Sequence, residues 1–201
     1  MSVSRVTLPS THEKRERILQ CAARIFRDKG YVGATLSEIA AEVGTLAGSL
    51  YYYFASKDVL ANEVLRRAMH HTFSHVEGAL ENGGHAQGPR DRILIAATSH
   101  LEAILDDNIF VGAYRSIHQQ MPDGIDDQTR GVLEDYDIVW NGLIGAAQES
   151  GDLRMNLDRD MFRLVIFGAI TWCMEWYKAG ESQTPREIAE YMIGICFDGG
   201  K

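Results

Sequence analysis

Apolar residues return every three to four positions along most of this chain, and almost no stretch alternates with a period of two, a pattern that predicts an all-α fold. Ile18, Leu19, Ala22, Ile25 and Phe26 form one apolar stripe on a helix predicted over residues 11–29, with Gly30 as its stop. Thr35-Leu-Ser-Glu38 has the form of a capping box, in which the Thr hydroxyl binds a free amide and the Glu reaches back. It opens a short helix over 36–43, which Gly44 ends. After a small-residue turn, AGSLYYY predicts a third helix over 47–53. Ser56 is placed to cap a long fourth, with Asp58 favourable to its dipole. Leu65, Met69, Phe73, Val76 and Leu80 carry one face of that helix to about residue 81. The Gly-rich stretch Asn82 to Pro89 is the best internal boundary. Further helices are predicted at about 90–106, 109–120, 125–150, 158–179 and 185–197. The last opens on a Thr184 cap, Pro185 at its first position and Glu187 at its third. This makes nine helices: a three-helix head over 11–57, a connecting helix over 57–81, and a larger body over 82–201.

Composition narrows the class. A chain of 201 residues with 45% hydrophobic content can bury a full core. Cys21, Cys173 and Cys196 are odd in number and far apart, which argues against a disulfide framework or zinc knuckle and suits a reducing compartment. The N-terminus carries no apolar leader pattern. The longest uncharged apolar run, Leu164 to Met174, is far short of the roughly 20 residues of a membrane span. These features lead us to expect a cytoplasmic protein with no membrane partner.

The net charge of −8 would argue against a nucleic-acid partner, because DNA binding requires neutralised phosphates. Its distribution reverses that. Residues 1–60 hold eight Lys and Arg against six Asp and Glu, so a mildly basic head precedes an acidic body. Two short helices joined by a tight glycine turn, after a longer striped helix, form a helix-turn-helix whose third helix can enter the major groove.

The stretch TLSEIAAEVGTLAGSLYYYFASKDVL resembles the DNA-binding domain of the TetR family of bacterial repressors. Matching positions are Thr35, Ile39-Ala40, Gly44, Gly48-Ser49-Leu50-Tyr51, Tyr53-Phe54 and Ser56-Lys57-Asp58, within about 45 residues that begin at ILQCAARIF. The resemblance implies a double-stranded DNA operator as partner, with Thr35, Gly48, Ser49, Tyr51, Tyr52, Tyr53 and Lys57 at the interface. Hydroxyls of Thr35 and Tyr53 suit phosphate oxygens, and Lys57 adds charge at a helix start. Gly48 and Ser49 leave room for close approach, while Tyr51 and Tyr52 project toward bases or backbone. Leu50 and Phe54 are expected to pack inward on Ile39 and Phe26. The chain departs from the family at Leu46-Ala47, where a Ser cap and a Lys are usual, so more of the affinity should rest on Lys57, Lys14 and Arg17.

For the body, the resemblance implies a small-molecule effector and a homodimer formed by the last two helices. Residues 161–177 are apolar on nearly every face, and Gly168-Ala169 permits close helix approach. The wording GSLYYYFASK and WCMEWYKAGESQTPREIAEYM is most like the subgroup answering to acyl-coenzyme A thioesters of fatty-acid or steroid breakdown. Candidate lining residues are Phe110, Tyr114, Met121, Trp140, Phe162 and Trp172, with Arg115 or Arg163 for an anionic group.

Other functions find less support. No G-x-S-x-G, Walker loop, G-x-G-x-x-G or H-E-x-x-H motif is present, so no enzyme is expected, and no cofactor. His71 and His75 lie four apart on the fourth helix and could share a metal, but no third ligand has matching spacing nearby. A helical adaptor that binds protein through the short third helix is the remaining alternative; unlike DNA binding, it carries no requirement for steep salt dependence.

Overall fold

The computed structural model describes residues 10–83, 88–121, 124–180 and 183–199, and places nine α-helices and no strand among them. They are α1 (Thr11–Gly33), α2 (Leu36–Val43), α3 (Ala47–Tyr53), α4 (Lys57–Asn82), α5 (Pro89–Leu105), α6 (Ile109–Gln120), α7 (Asp127–Glu149), α8 (Arg159–Trp176) and α9 (Pro185–Asp198). Arg5, one of the eight basic residues of the head, and residues 84–87 of the expected boundary lie outside the described set.

The predicted helix punctuation is present as geometry. Full capping boxes join Thr35 to Glu38 and Thr184 to Glu187, and a further one, Ser10 with Glu13, opens α1. The Ser56 hydroxyl accepts the Val59 amide at 3.1 Å, and Gly44 ends α2 in the left-handed conformation. Gly30 breaks α1 at φ 72°, ψ 170°, and one further turn follows before Ala34.

The chain forms two compact units. Among the described residues, the first comprises 10–68, 109–121 and 124–129, and the second 69–83, 88–108, 130–180 and 183–199. The sequence assigns residues 109–120 to the body, whereas α6 packs on α1 inside the first unit. Small residues make this possible: a Cβ on Gly112 would stand 2.9 Å from Arg27 Cδ, and one on Gly30 2.6 Å from Gln120 Nε2. The core there joins Ile18, Leu19, Ala22 and Phe26 of α1 to Ile39, Leu50 and Phe54, and to Ala113, Ile117 and Met121 of the α6 segment. Arg66 adds a polar tie, donating to Asp126 at 2.9 Å and Thr129 at 3.0 Å, while Asn62 bridges to Gly124 and Asp126.

In the second unit α5 packs on α8 and α9. Its centre is a ring cluster of Phe73, His100, Tyr136, Trp140 and Phe167. Burial pushes the His100 imidazole down to about 4, so the ring is neutral and its Nδ1 lies 3.0 Å from the Tyr136 hydroxyl.

Candidate nucleic-acid interface

Helix α3 begins without a side-chain cap, because Leu46 occupies the N-cap position and has no oxygen to offer. Its inward face is Leu50, fully buried with Phe54 against Ile39 and Phe26. This anchor rotates the remaining faces outward, leaving Gly48, Ser49, Tyr51 and Tyr52 exposed. Tyr53 is half-buried against the core, with its ring 5.1 Å edge-on from Tyr52.

Helices α1, α2 and α3 enclose a cleft of about 410 Å³ lined by Glu13, Lys14, Arg17, Ser49, Tyr52 and Tyr53, with Ile18, Val43, Gly44 and Thr45 behind them. Lys14 and Arg17 are exposed, so two cations and two phenols border one groove beside α3. Glu13 shares it, but its carboxylate is turned to the Ser10 backbone and hydroxyl, which hold its pKa below the usual range. Cations flanking hydroxyl groups beside an exposed short helix suit a phosphate backbone running past base-reading side chains.

Two expected contacts have other work to do. The Thr35 hydroxyl caps α2, donating to Glu38 Oε2 at 2.9 Å and accepting the Glu38 amide at 3.2 Å. Lys29 bonds that same carboxylate and, with Thr35, keeps its pKa low. The Lys57 ammonium donates to the carbonyls of Tyr31 at 2.9 Å and Ala34 at 3.1 Å, and lies 4.3 Å from the Tyr31 ring centre. It fastens α4 to the end of α1, so two of its three protons are already committed. Tyr31 in turn donates to Asp58, and burial followed by that carboxylate raises the phenol to about 12.

The expected ligand-lining residues are divided between the two compact units. Phe110, Tyr114, Arg115 and Met121 belong to the first unit, where Met121 is buried in the helix-turn-helix core and Tyr114 stacks on His118 at 5.3 Å. Trp140, Phe162 and Trp172 belong to the second unit. Trp140 is fully buried in the ring cluster, Phe162 packs on Phe197, and Trp172 is exposed beside Trp176 and Tyr191. Arg163 pairs with Asp137 and Asp160 and lies over the Phe167 ring, so an anionic ligand would have to displace a carboxylate to reach it. His71 and His75 have rings 4.5 Å apart, and Asp106 lies 3.6 Å from His71; among the described residues no group of three or more His, Cys, Asp or Glu is placed to hold a metal. Nor, among them, is any helix long and apolar enough to cross a membrane.

Sequence reasoning missed the part that α6 plays in the head. The Gln120 carboxamide sits in the Gly30 break and accepts the Val32 amide at 2.8 Å. The only local signal was a glycine followed by a further turn, and nothing in the sequence pairs it with a glutamine ninety residues later.

Comparison with known proteins agrees with this architecture. The model for bacterial regulatory proteins of the tetR family matches residues 18–64, and that for a tetracyclin repressor-like C-terminal domain matches 86–199. The transcriptional repressor KstR2 of Mycolicibacterium smegmatis is 28% identical over 200 residues, covering 92% of this chain and 90% of its own. The structure of the ketosteroid regulator KstR2 of Mycobacterium tuberculosis shares the fold, with a TM-score of 0.72 at 23% identity, covering 94% of this chain and 96% of that one. So does AibR in complex with isovaleryl coenzyme A and operator DNA, with a TM-score of 0.75 at 21% identity, covering 92% and 98%. With its helix-turn-helix head and helical body both matched, the chain belongs to the TetR family of DNA-binding transcriptional regulators and not to a class of enzymes.

Proposed function

We propose that the protein is a cytoplasmic homodimeric repressor that holds a near-palindromic operator and releases it on binding a hydrophobic effector of the acyl-coenzyme A class. The observation that carries the DNA-binding half is the cleft in which Lys14, Arg17, Ser49, Tyr52 and Tyr53 converge beside α3. Tyr51, Tyr52, Gly48 and Ser49 take the base-facing role, and Tyr53, Lys14 and Arg17 the phosphate-facing one. Thr35 and Lys57 act mainly by setting α2 and α4 in place, with their remaining hydrogen-bonding capacity turned to phosphate.

The dimer reading rests on α8 and α9. Met161, Leu164, Val165 and Trp172 form an exposed stripe at helical spacing on α8, and Trp176, Tyr191 and Ile195 stay 42–74% exposed near it. Between them an apolar groove of about 480 Å³ is lined by Ala169, Trp172, Ile188, Tyr191 and Met192. An apolar surface of this kind on a regulator suits a second copy, which would present two heads to two half-sites. Support for the effector class comes from the relatives: AibR was crystallised with an acyl-coenzyme A and operator DNA, and KstR2 is described as a ketosteroid regulator. The effector acts by differential affinity for the conformation that binds DNA poorly.

Binding to DNA from upstream of the protein's own gene, followed by fluorescence anisotropy, tests this reading. Acyl-coenzyme A thioesters of increasing chain length should release the DNA at micromolar concentration, while free coenzyme A should not. Release by none of the thioesters would remove the effector assignment.

A further inference from the structure

Leu46 is an exposed apolar side chain that takes no part in the hydrophobic core of the described residues. It is 79% exposed, as far out as Tyr52, and it follows a glycine turn whose own amides are satisfied by α2 carbonyls. Its backbone carbonyl accepts the Ser49 amide at 2.9 Å, so the main chain is fixed while the side chain faces outward. Gly48, two residues on, is a second unexplained choice. A Cβ there would meet nothing within 4 Å, and its φ is not positive, so neither packing nor backbone conformation calls for glycine. Glycine weakens a helix relative to alanine, and the open space beside Gly48 leaves room for a group that approaches from outside.

Residues 46–48 thus present a leading edge, Leu-Ala-Gly, with no side-chain donor or acceptor. Among the edges that base pairs show in the major groove, the apolar feature is the C5-methyl group of thymine. We infer that Leu46 is a specificity-determining residue, whose exposed side chain packs on a thymine methyl and selects T·A at one position of each half-site. The inference rests on the DNA-reading function proposed above. It is carried by the side chain, not by the free amides of the helix start.

Selection from a randomised duplex library with the full-length protein yields the probe. The enriched duplex is then resynthesised with each thymine in turn replaced by deoxyuridine, which removes one methyl and leaves the hydrogen bonds unchanged. At one thymine per half-site the wild type should lose about fourfold in affinity, the transfer value of a single buried methyl. Leu46→Ala should bind more weakly and show no loss at that same thymine; because the residue is exposed, its helical content and melting temperature should match the wild type. Leu46→Ser, which restores a capping oxygen, should bind DNA yet also ignore the methyl. If Leu46→Ala keeps the wild-type sensitivity at every thymine, or the wild type is sensitive at none, Leu46 does not read a methyl. If no duplex is enriched at all, the DNA-reading function fails with it.

Discussion

Gly30 is the position where one added carbon should do most damage to the head. Its backbone, at φ 72° and ψ 170°, lies in a region that is essentially restricted to glycine. Forcing alanine into it costs about 1–3 kcal/mol. The new Cβ would also lie 2.6 Å from Gln120 Nε2 and 2.7 Å from its Oε1, closer than atoms can approach. The carboxamide must then move, and its bond from the Val32 amide, now 2.8 Å, is lost at a cost of about 1 kcal/mol. Together Gly30→Ala should destabilise the protein by about 2–4 kcal/mol. Urea unfolding followed by circular dichroism measures this, and the double variant Gly30→Ala/Gln120→Ala separates the two parts. Removing the carboxamide relieves the collision but not the backbone strain, so the double variant should still be less stable than Gln120→Ala alone. A Gly30→Ala protein within about 0.5 kcal/mol of wild type, the range of an ordinary surface change, would refute the argument that this glycine is required for α1 to turn onto α6.

Lys57→Ala should lower the melting temperature as well as DNA affinity, since it frees two carbonyls; the charged hydrogen bonds involved are worth about 1.5–3 kcal/mol, and an unchanged melting temperature would show that they contribute nothing. His100 should make the second unit acid-sensitive. Its folded pKa, about 4, is below the unfolded value of about 6.5, so the unfolded chain takes up the proton first: stability is complete above pH 6.5 and falls as the pH drops toward 4, by on the order of 3 kcal/mol. Urea unfolding at pH 7 and pH 5 checks the sign, and His100→Asn should flatten the difference. Val165→Asp with Trp172→Asp places charge on the exposed α8 stripe and should convert a dimer to monomers in sedimentation analysis, with helical content unchanged.

Much of this architecture is legible in the sequence because helix boundaries are written locally. Thr35 with Glu38, Thr184 with Pro185 and Glu187, and Gly44 each act within a few residues, and the observed helices begin or end where they stand. Leu50 and Phe54 were readable as inward for the same reason: three-residue and four-residue spacing fixes the face of a short helix. What the sequence concealed is long-range. The packing of α6 on α1 depends on Gly30, Gly112, Arg27 and Gln120 meeting across the fold, and no local pattern pairs them. Residue type alone assigns no role to the ligand-lining candidates, because large aromatics are equally at home in a core, a dimer face or a pocket. Trp140 and Trp172 differ in exposure, not in residue type. Lys57 and Thr35 show a related limit. A cation or hydroxyl near a helix start is visible in the sequence, but whether a carbonyl or carboxylate of the same protein has already claimed it is not.

The central claim is that the cleft beside α3 tracks a DNA backbone. Its most direct test is the affinity for DNA from upstream of the protein's own gene, measured across a salt series for the wild type, Lys14→Gln and Arg17→Gln. For the wild type, the logarithm of the binding constant should fall linearly with the logarithm of salt. Each substitution should make that line shallower by about 0.9, the share of one phosphate contact. Wild-type binding that ignores salt, or slopes that neither substitution changes, would contradict the claim.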